Sequence, residues 1–389
     1  MRADVVYPLS LLAARRPRYP TLGFLLLVHL LAVSATAQTT AGPPPPSQDR
    51  EFQKLDVLAT ALRNRNVRDY AITTPSGIDQ GTYVEIGGIQ QWITIRGEDR
   101  RNPGLLFVHG GPGDATNPWS YAVFRPWLKA FTVVQWDQRG AGRTLGINGV
   151  PPGGTLTIAR MTEDGLEVAE YVRKTLQKDK VILVGHSWGS ILGVLMVKTR
   201  PDLFYAYVGT GQVVDSARNY ALAYDELVKK AEALRDHRAI MELKDVGPPP
   251  YSDGRGYAVQ RKWSNLFQGA DVFLASMIGL AMSAPGNKLK DLNDWVDGQD
   301  VSGQALVPQM NALDAKTVGG DFAVPVFVFQ GTEDFTTPTR LAREFVSSIT
   351  APRKDFVPID GGGHFAVFMK SDVFLKELVR RVRAFATVP

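Results

Sequence analysis

The chain has 389 residues, 44% of them hydrophobic and 21% charged, with a formal net charge of +5 and no cysteine. Ordinary hydrophobicity and small net charge exclude disorder as the main state. The missing thiols exclude disulfides, thiolate zinc sites, iron–sulfur clusters and a cysteine nucleophile.

A net +3 of that charge lies in residues 1–37, so the rest of the chain is close to neutral. No nucleic-acid partner is expected from such a balance. Arg15, Arg16 and Arg18 precede an apolar run from Leu22 to Val33, followed by the small residues Ala35 and Ala37. A basic flank, a short apolar run and a small-x-small site predict a signal peptide over residues 1–37, cut after Ala37. The run is shorter than the roughly 20 apolar residues a membrane-spanning helix needs. The expected product is periplasmic or secreted, with no stable membrane insertion once the leader is cut. Residues 38–50, with prolines at 43, 44, 45 and 46, read as a stiff linker.

Beyond the linker, strands alternate with helices. Tyr83–Ile86 and Gln90–Ile95 flank Gly87-Gly88 and predict a hairpin. Gly104–Val108, Phe131–Trp136, Val181–Val184, Phe204–Val208, Val324–Phe329 and Asp355–Ile359 are short apolar runs bounded by turn residues. Helical patterns at Thr162–Leu176 and Trp188–Thr199 lie between some of them. The fold class is therefore α/β, a mainly parallel sheet flanked by helices. Residues 51–212 and 318–389 form its two halves. Residues 213–317 form a helical cap inserted between them, with helices at Ser216–Leu234, Tyr257–Phe267 and Asp271–Met282 broken by Pro248-Pro249-Pro250.

Gly185-His186-Ser187-Trp188-Gly189 follows a predicted strand and opens a predicted helix. A G-x-S-x-G segment in that context lifts its serine above the sheet as a nucleophile. It also sets the Trp188 amide at a helix N-terminus, where an oxyanion would form. A serine hydroxyl needs a base. His364, after Gly361-Gly362-Gly363 and the last strand, is the candidate; His109, His186 and His237 sit where structural or solvated roles fit better. Asp334, just past the strand Val324–Phe329, is the acid expected to orient His364, with Glu333 and Asp360 as rivals. Ser, Asp, His is the chain order of this hydrolase class.

His109-Gly110-Gly111-Pro112-Gly113 follows the strand Gly104–Val108, and its backbone suits a second oxyanion donor at Gly111. It lacks the lysine and hydroxyl of a phosphate loop. Trp136–Thr144 reads as a salt-bridged turn bracing that loop.

These segments resemble the α/β-hydrolase superfamily and, within it, the proline iminopeptidase (prolyl aminopeptidase) branch. His109–Gly113 matches that branch's H-G-G-P-G. Trp136–Thr144 is close to its W-D-Q-R-G-S-G-R-S, and Gly185–Ser190 to its G-G-S-W-G-S with His186 for the second glycine. The resemblance implies a triad of Ser187, Asp334 and His364, an oxyanion hole from Gly111 and Trp188, no cofactor or metal, and release of N-terminal proline through an acyl-enzyme. It also implies acidic cap groups for the substrate's free amine, for which Asp225, Glu226, Glu232 and Glu242 are candidates by location. The leading expectation is a secreted serine hydrolase of small peptides. A carboxylesterase, with Trp263, Phe267, Phe273, Met277, Met282 and Trp295 lining an apolar pocket, is the alternative. A non-catalytic ligand-binding hydrolase fold is the reading of another class.

Overall fold

The computed structural model describes residues 46–251 and 254–386. The expected signal peptide and most of the expected linker lie outside the described residues. The chain divides into two units, residues 1–58 and 59–389. Of the first, the described part is helical, the leading stretch of α1 (Pro46–Asp69). The last residues of the expected linker are therefore helix. Proline is tolerated at a helix start because its missing N–H would have had no partner there.

The second unit carries one eight-stranded sheet in the order β1-β2-β4-β3-β5-β6-β7-β8. The hairpin β1 (Ile78–Ile86) and β2 (Ile89–Gly97) turns at Gly87-Gly88, and β2 pairs antiparallel with β4. The other six strands are β3 (Gly104–Val108), β4 (Thr132–Trp136), β5 (Val181–His186), β6 (Phe204–Thr210), β7 (Val326–Gly331) and β8 (Lys354–Ile359). They pair in parallel with one another. Helices α2 (Asn117–Val123), α3 (Gly142–Asn148), α4 (Ile158–Leu176) and α5 (Trp188–Thr199) follow β3, β4 and β5.

Between β6 and β7 the chain is helical: α6 (Ser216–Leu234), α7 (His237–Val246), α8 (Gly254–Phe267), α9 (Ala270–Met282), α10 (Leu289–Asn311) and the single turn α11 (Ala315–Val318). The three prolines fall in the break between α7 and α8. Helix α12 (Thr339–Ser348) joins β7 to β8, and α13 (Ala366–Met369) and α14 (Ser371–Arg381) close the fold. No single helix among the described residues is long and apolar enough to cross a membrane.

The central strands are buried on both faces, and their alternation divides the core. Leu106, Val108, Leu183 and Val328 meet residues of α4, α5 and α12 on one face. Leu105, Phe107, Val184, Phe327 and Phe329 meet Trp119, Phe124 and α14 on the other. A continuous apolar run is what a strand covered on both sides requires. The parallel strands all end on the same edge, and the loops beyond those ends form the natural crevice of an open α/β sheet.

One buried ion pair ties the hairpin to this core. Asp164 of α4 is fully buried and accepts from Arg139 Nε at 2.8 Å, Arg160 Nε at 2.8 Å and Gln91 Nε2 at 2.9 Å. Arg139 also donates to the Gly87 carbonyl at 2.8 Å. Removing one partner of a buried pair leaves the other charge uncompensated. Arg139→Leu is expected to lower unfolding free energy by about 3 kcal/mol, the lower end for broken buried pairs because Arg160 remains. Urea unfolding at neutral pH measures it.

Candidate active site

The site is built from loops at the carboxyl ends of β3, β5, β7 and β8. At the end of β5 the chain reverses into α5 through Ser187, whose φ is 53° and ψ −121°. A non-glycine residue at positive φ is strained and persists only when its surroundings impose it. Here they do. Gly189 lies so close to the end of β3 that a side-chain carbon on it would overlap the Val108 carbonyl oxygen. A carbon on Gly110 would likewise sit 3.2 Å from Ser187 Cβ, so the loop after β3 packs directly on the serine.

His364, buried at the end of the glycine run after β8, brings Nε2 to 3.0 Å from Ser187 Oγ. Its Nδ1 lies 3.1 Å from Asp334 Oδ2. The carboxylate is held from all sides. Asp334 Oδ1 accepts the Thr336 and Thr337 amides at 2.9 and 2.8 Å. Oδ2 accepts Gln330 Nε2 at 2.7 Å and the Thr337 hydroxyl at 2.8 Å. That hydroxyl spends its hydrogen on Asp334, so its 3.3 Å contact with His364 Nδ1 adds a second acceptor for the ring N–H. An imidazole fixed in this way presents an unprotonated Nε2 to the serine, the arrangement for nucleophilic attack by a hydroxyl. Glu333 and Asp360 are exposed, and Glu333 pairs with Lys230 at 3.3 Å.

Beside this line lie Gly111 (φ 112°), exposed on the β3 loop, and Trp188, the first residue of α5. The opening amides of a helix have no helical acceptor and attract negative charge. The segment after β4, salt-bridged through Arg139–Asp164 and Arg143–Asp291, braces both through the Gln138 amide. Gln138 Nε2 donates to the His109 carbonyl at 3.0 Å, and Gln138 Oε1 accepts the Trp188 indole N–H at 2.9 Å. The Gln138 backbone N–H donates to His109 Nε2 at 3.3 Å, so the His109 proton resides on Nδ1, which donates to the Gly110 carbonyl at 2.9 Å. Gln138, Gln330 and Thr337 escape sequence reasoning because each acts through a partner distant in the chain.

The acidic candidates of the cap separate. Asp225 and Glu232 are exposed, and Glu232 lies 3.9 Å from Lys244. Glu242 is consumed by Lys262 at 2.5 Å, Arg238 at 2.9 Å and the Trp263 indole at 2.9 Å. Glu226 alone of the four is drawn towards the site: burial raises its pKa first and the Asp334 charge raises it further. An acid not singled out beforehand, Asp114, ends the β3 loop. It accepts the Trp295 indole N–H at 3.0 Å, and burial pushes its pKa up to about 6. Of the aromatic candidates, Phe273 forms a wall with Phe365 and Phe368 at 5.6 and 5.8 Å, beside the His364 ring. Trp263 and Phe267 pack instead into the cap's own core, and Met277 and Trp295 into the core cluster on one sheet face.

His109 gives the site a pH signature. Burial lowers its pKa from 6.5 to about 4, below its value in the unfolded chain. As pH falls through that window the unfolded chain takes up a proton that the folded one refuses, so stability is present above the window and lost within it. Relative to His109→Gln, the wild-type chain is expected to lose about 3 kcal/mol between the two pKa values. Paired denaturant titrations of both proteins across the window check the sign and size.

Comparison with known proteins places this geometry. The chain is 28% identical over 304 residues to a Bacillus subtilis (strain 168) protein named as a probable aminopeptidase, covering 77% of this chain and 95% of that one. It is 29% identical over 264 residues to the proline iminopeptidase of Lactobacillus delbrueckii subsp. lactis, covering 66% and 83%. A solved structure, that of a proline iminopeptidase-related protein from Thermus thermophilus, superposes with a TM-score of 0.58. It covers 79% of this chain and 99% of that one at 19% identity, which speaks for the fold alone. Residues 103–371 match the family described as the alpha/beta hydrolase fold, and the chain belongs to that family, its similarity falling in the proline iminopeptidase branch.

Proposed function

We propose that this hydrolase is a serine aminopeptidase that releases N-terminal proline from small peptides. The observation that carries the reading is the line from Ser187 Oγ through His364 to Asp334, with steps of 3.0 and 3.1 Å. His364 Nε2 takes the Ser187 proton as Oγ bonds to the substrate carbonyl carbon. The carbonyl oxygen becomes an oxyanion held by the Gly111 and Trp188 amides. His364 then returns the proton to the leaving nitrogen as the peptide bond breaks, leaving a prolyl ester on Ser187. Water repeats the cycle: His364 takes its proton, the acyl bond breaks, and free proline leaves with Ser187 reprotonated.

The free-amine requirement is assigned to Glu226, whose raised pKa reflects a carboxyl half-buried near Asp334. A substrate ammonium there would relieve both the burial and the like charge. Phe273 and Phe365, half-buried beside the His364 ring, suit the apolar pyrrolidine ring. Export rests on the basic flank and apolar run of residues 1–37, and the N-terminal sequence of the protein recovered from the culture medium or periplasm tests it.

Proline p-nitroanilide with a free amine, the same compound N-blocked, and p-nitrophenyl butyrate separate the readings. Rapid turnover of the free-amine amide alone is the expected result. Ester turnover with no amide cleavage would make the protein a carboxylesterase. Ser187→Ala should lower kcat by about a millionfold, and retained turnover would remove Ser187 from the chemistry. Glu226→Gln is expected to raise KM for the free-amine amide about tenfold, the loss of one charge-assisted contact.

A further inference from the structure

One exposed cation of the insertion, Arg261 on α8, has no part in the chemistry above. Helix α8 is fastened to the catalytic loops through its last turns. Ser264 Oγ meets Thr336 Oγ1 at 2.9 Å, and the Gln268 side-chain oxygen accepts the His364 backbone N–H. Positions 261, 264 and 268 are spaced by three and four residues, so they share one face of the helix. Arg261 therefore stands on the face that descends to the strand ends, one turn before Ser264.

Its electrostatic neighbours agree with that placement. Arg261 favours the ionised forms of both Asp114, on the loop packed against Ser187, and Tyr220 of α6. The side chain is exposed and, among the described residues, makes no hydrogen bond or ion pair. Asp114 does not consume it: that carboxyl is held by the Trp295 indole at 3.0 Å. A guanidinium in this position offers a planar fork of donors that matches a carboxylate.

Resting on the aminopeptidase reading, we propose that Arg261 sets specificity by binding a carboxylate on the leaving side of the scissile bond. The substrates it selects are dipeptides, whose C-terminal carboxylate lies one residue beyond the released proline. The two charges of such a substrate then have separate receptors. Its ammonium belongs to the acyl half and goes to Glu226, beside Asp334. Its carboxylate goes to Arg261, whose guanidinium makes no hydrogen bond or ion pair among the described residues. Most of the preference should appear in KM, since the carboxylate does not change during bond breaking.

The test compares kcat/KM for prolyl-alanine, prolyl-alanine amide and prolyl-glutamate α-amide in the wild-type protein and in Arg261→Gln. The free dipeptide is expected to exceed its amide by about tenfold in the wild type, and the ratio should fall to near unity in the variant. Ratios taken within one protein cancel any change in the folded fraction. A wild-type ratio of unity, or an undiminished ratio in Arg261→Gln, would overturn the proposal. Preference for prolyl-glutamate α-amide alone would overturn the dipeptide assignment by placing the carboxylate on a side chain. Should no proline substrate be cleaved, the aminopeptidase reading fails separately. The pair phenyl butyrate and 4-carboxyphenyl butyrate then tests Arg261 on its own, and absence of a carboxylate preference lost in the variant rejects it.

Discussion

The close approach of Gly189 to the last carbonyl of β3 is the constraint on which the rest of the site depends. Because Gly189 carries no side chain, α5 can begin directly over the sheet, and the turn before it holds Ser187 at positive φ. The same approach brings the β3 loop against the serine. It also delivers the first amide of α5 to the side of the serine where the β3 loop lies. A methyl group at this one position would part β3 from α5 and separate all three features.

Around that contact the protein braces its loops with amide side chains instead of charges. Gln138 holds the β3 loop and the Trp188 indole together, while Gln330 holds Asp334. A neutral brace inside a buried site satisfies hydrogen bonds without adding a charge that would compete with the His364–Asp334 pair. Arg139 of the same segment turns away from the site and serves the hairpin and α4 instead. Within the segment after β4, Gln138 serves the site, Arg139 the scaffold, and Arg143 the insertion through Asp291 at 3.1 Å.

The helical insertion joins the site from two directions. Helix α8 reaches His364 and Thr336, while α10 lies against the β3 and β4 loops. On that helix Gly298 sits 3.1 Å, measured from the carbon it lacks, from the Gly113 carbonyl and the Ala141 backbone, and Ser302 donates to the Gly140 carbonyl at 2.8 Å. The insertion is therefore part of the wall of the site as well as its cover. Substrate charge is read from this wall, by Glu226 on α6 and Arg261 on α8 in the functions proposed.

Local pattern alone carried the sheet strands, the turn at Ser187 and the chain order of Ser187, Asp334 and His364. Buried parallel strands are uniformly apolar, and a strand–turn–helix with two glycines admits few conformations, so their signals are written in neighbouring residues. Helix α10 was not legible in this way. Gly298, Gly303 and Pro308 weaken its intrinsic propensity, and its stability comes from packing on loops more than 150 residues earlier in the chain. The same holds for Gln138, Thr337 and Asp114, whose contacts with the His109 carbonyl, the His364 ring and the Trp295 indole exist only where distant segments meet. Sequence by itself determined the fold class and the local turn that carries Ser187, because neighbouring residues dictate both. It also named Asp334 and His364, which only the folded sheet brings into hydrogen-bond reach of that turn. Tertiary structure alone decided which acids of the insertion are paired, exposed or half-buried, because side-chain burial and charge proximity arise only once the insertion is folded onto the sheet.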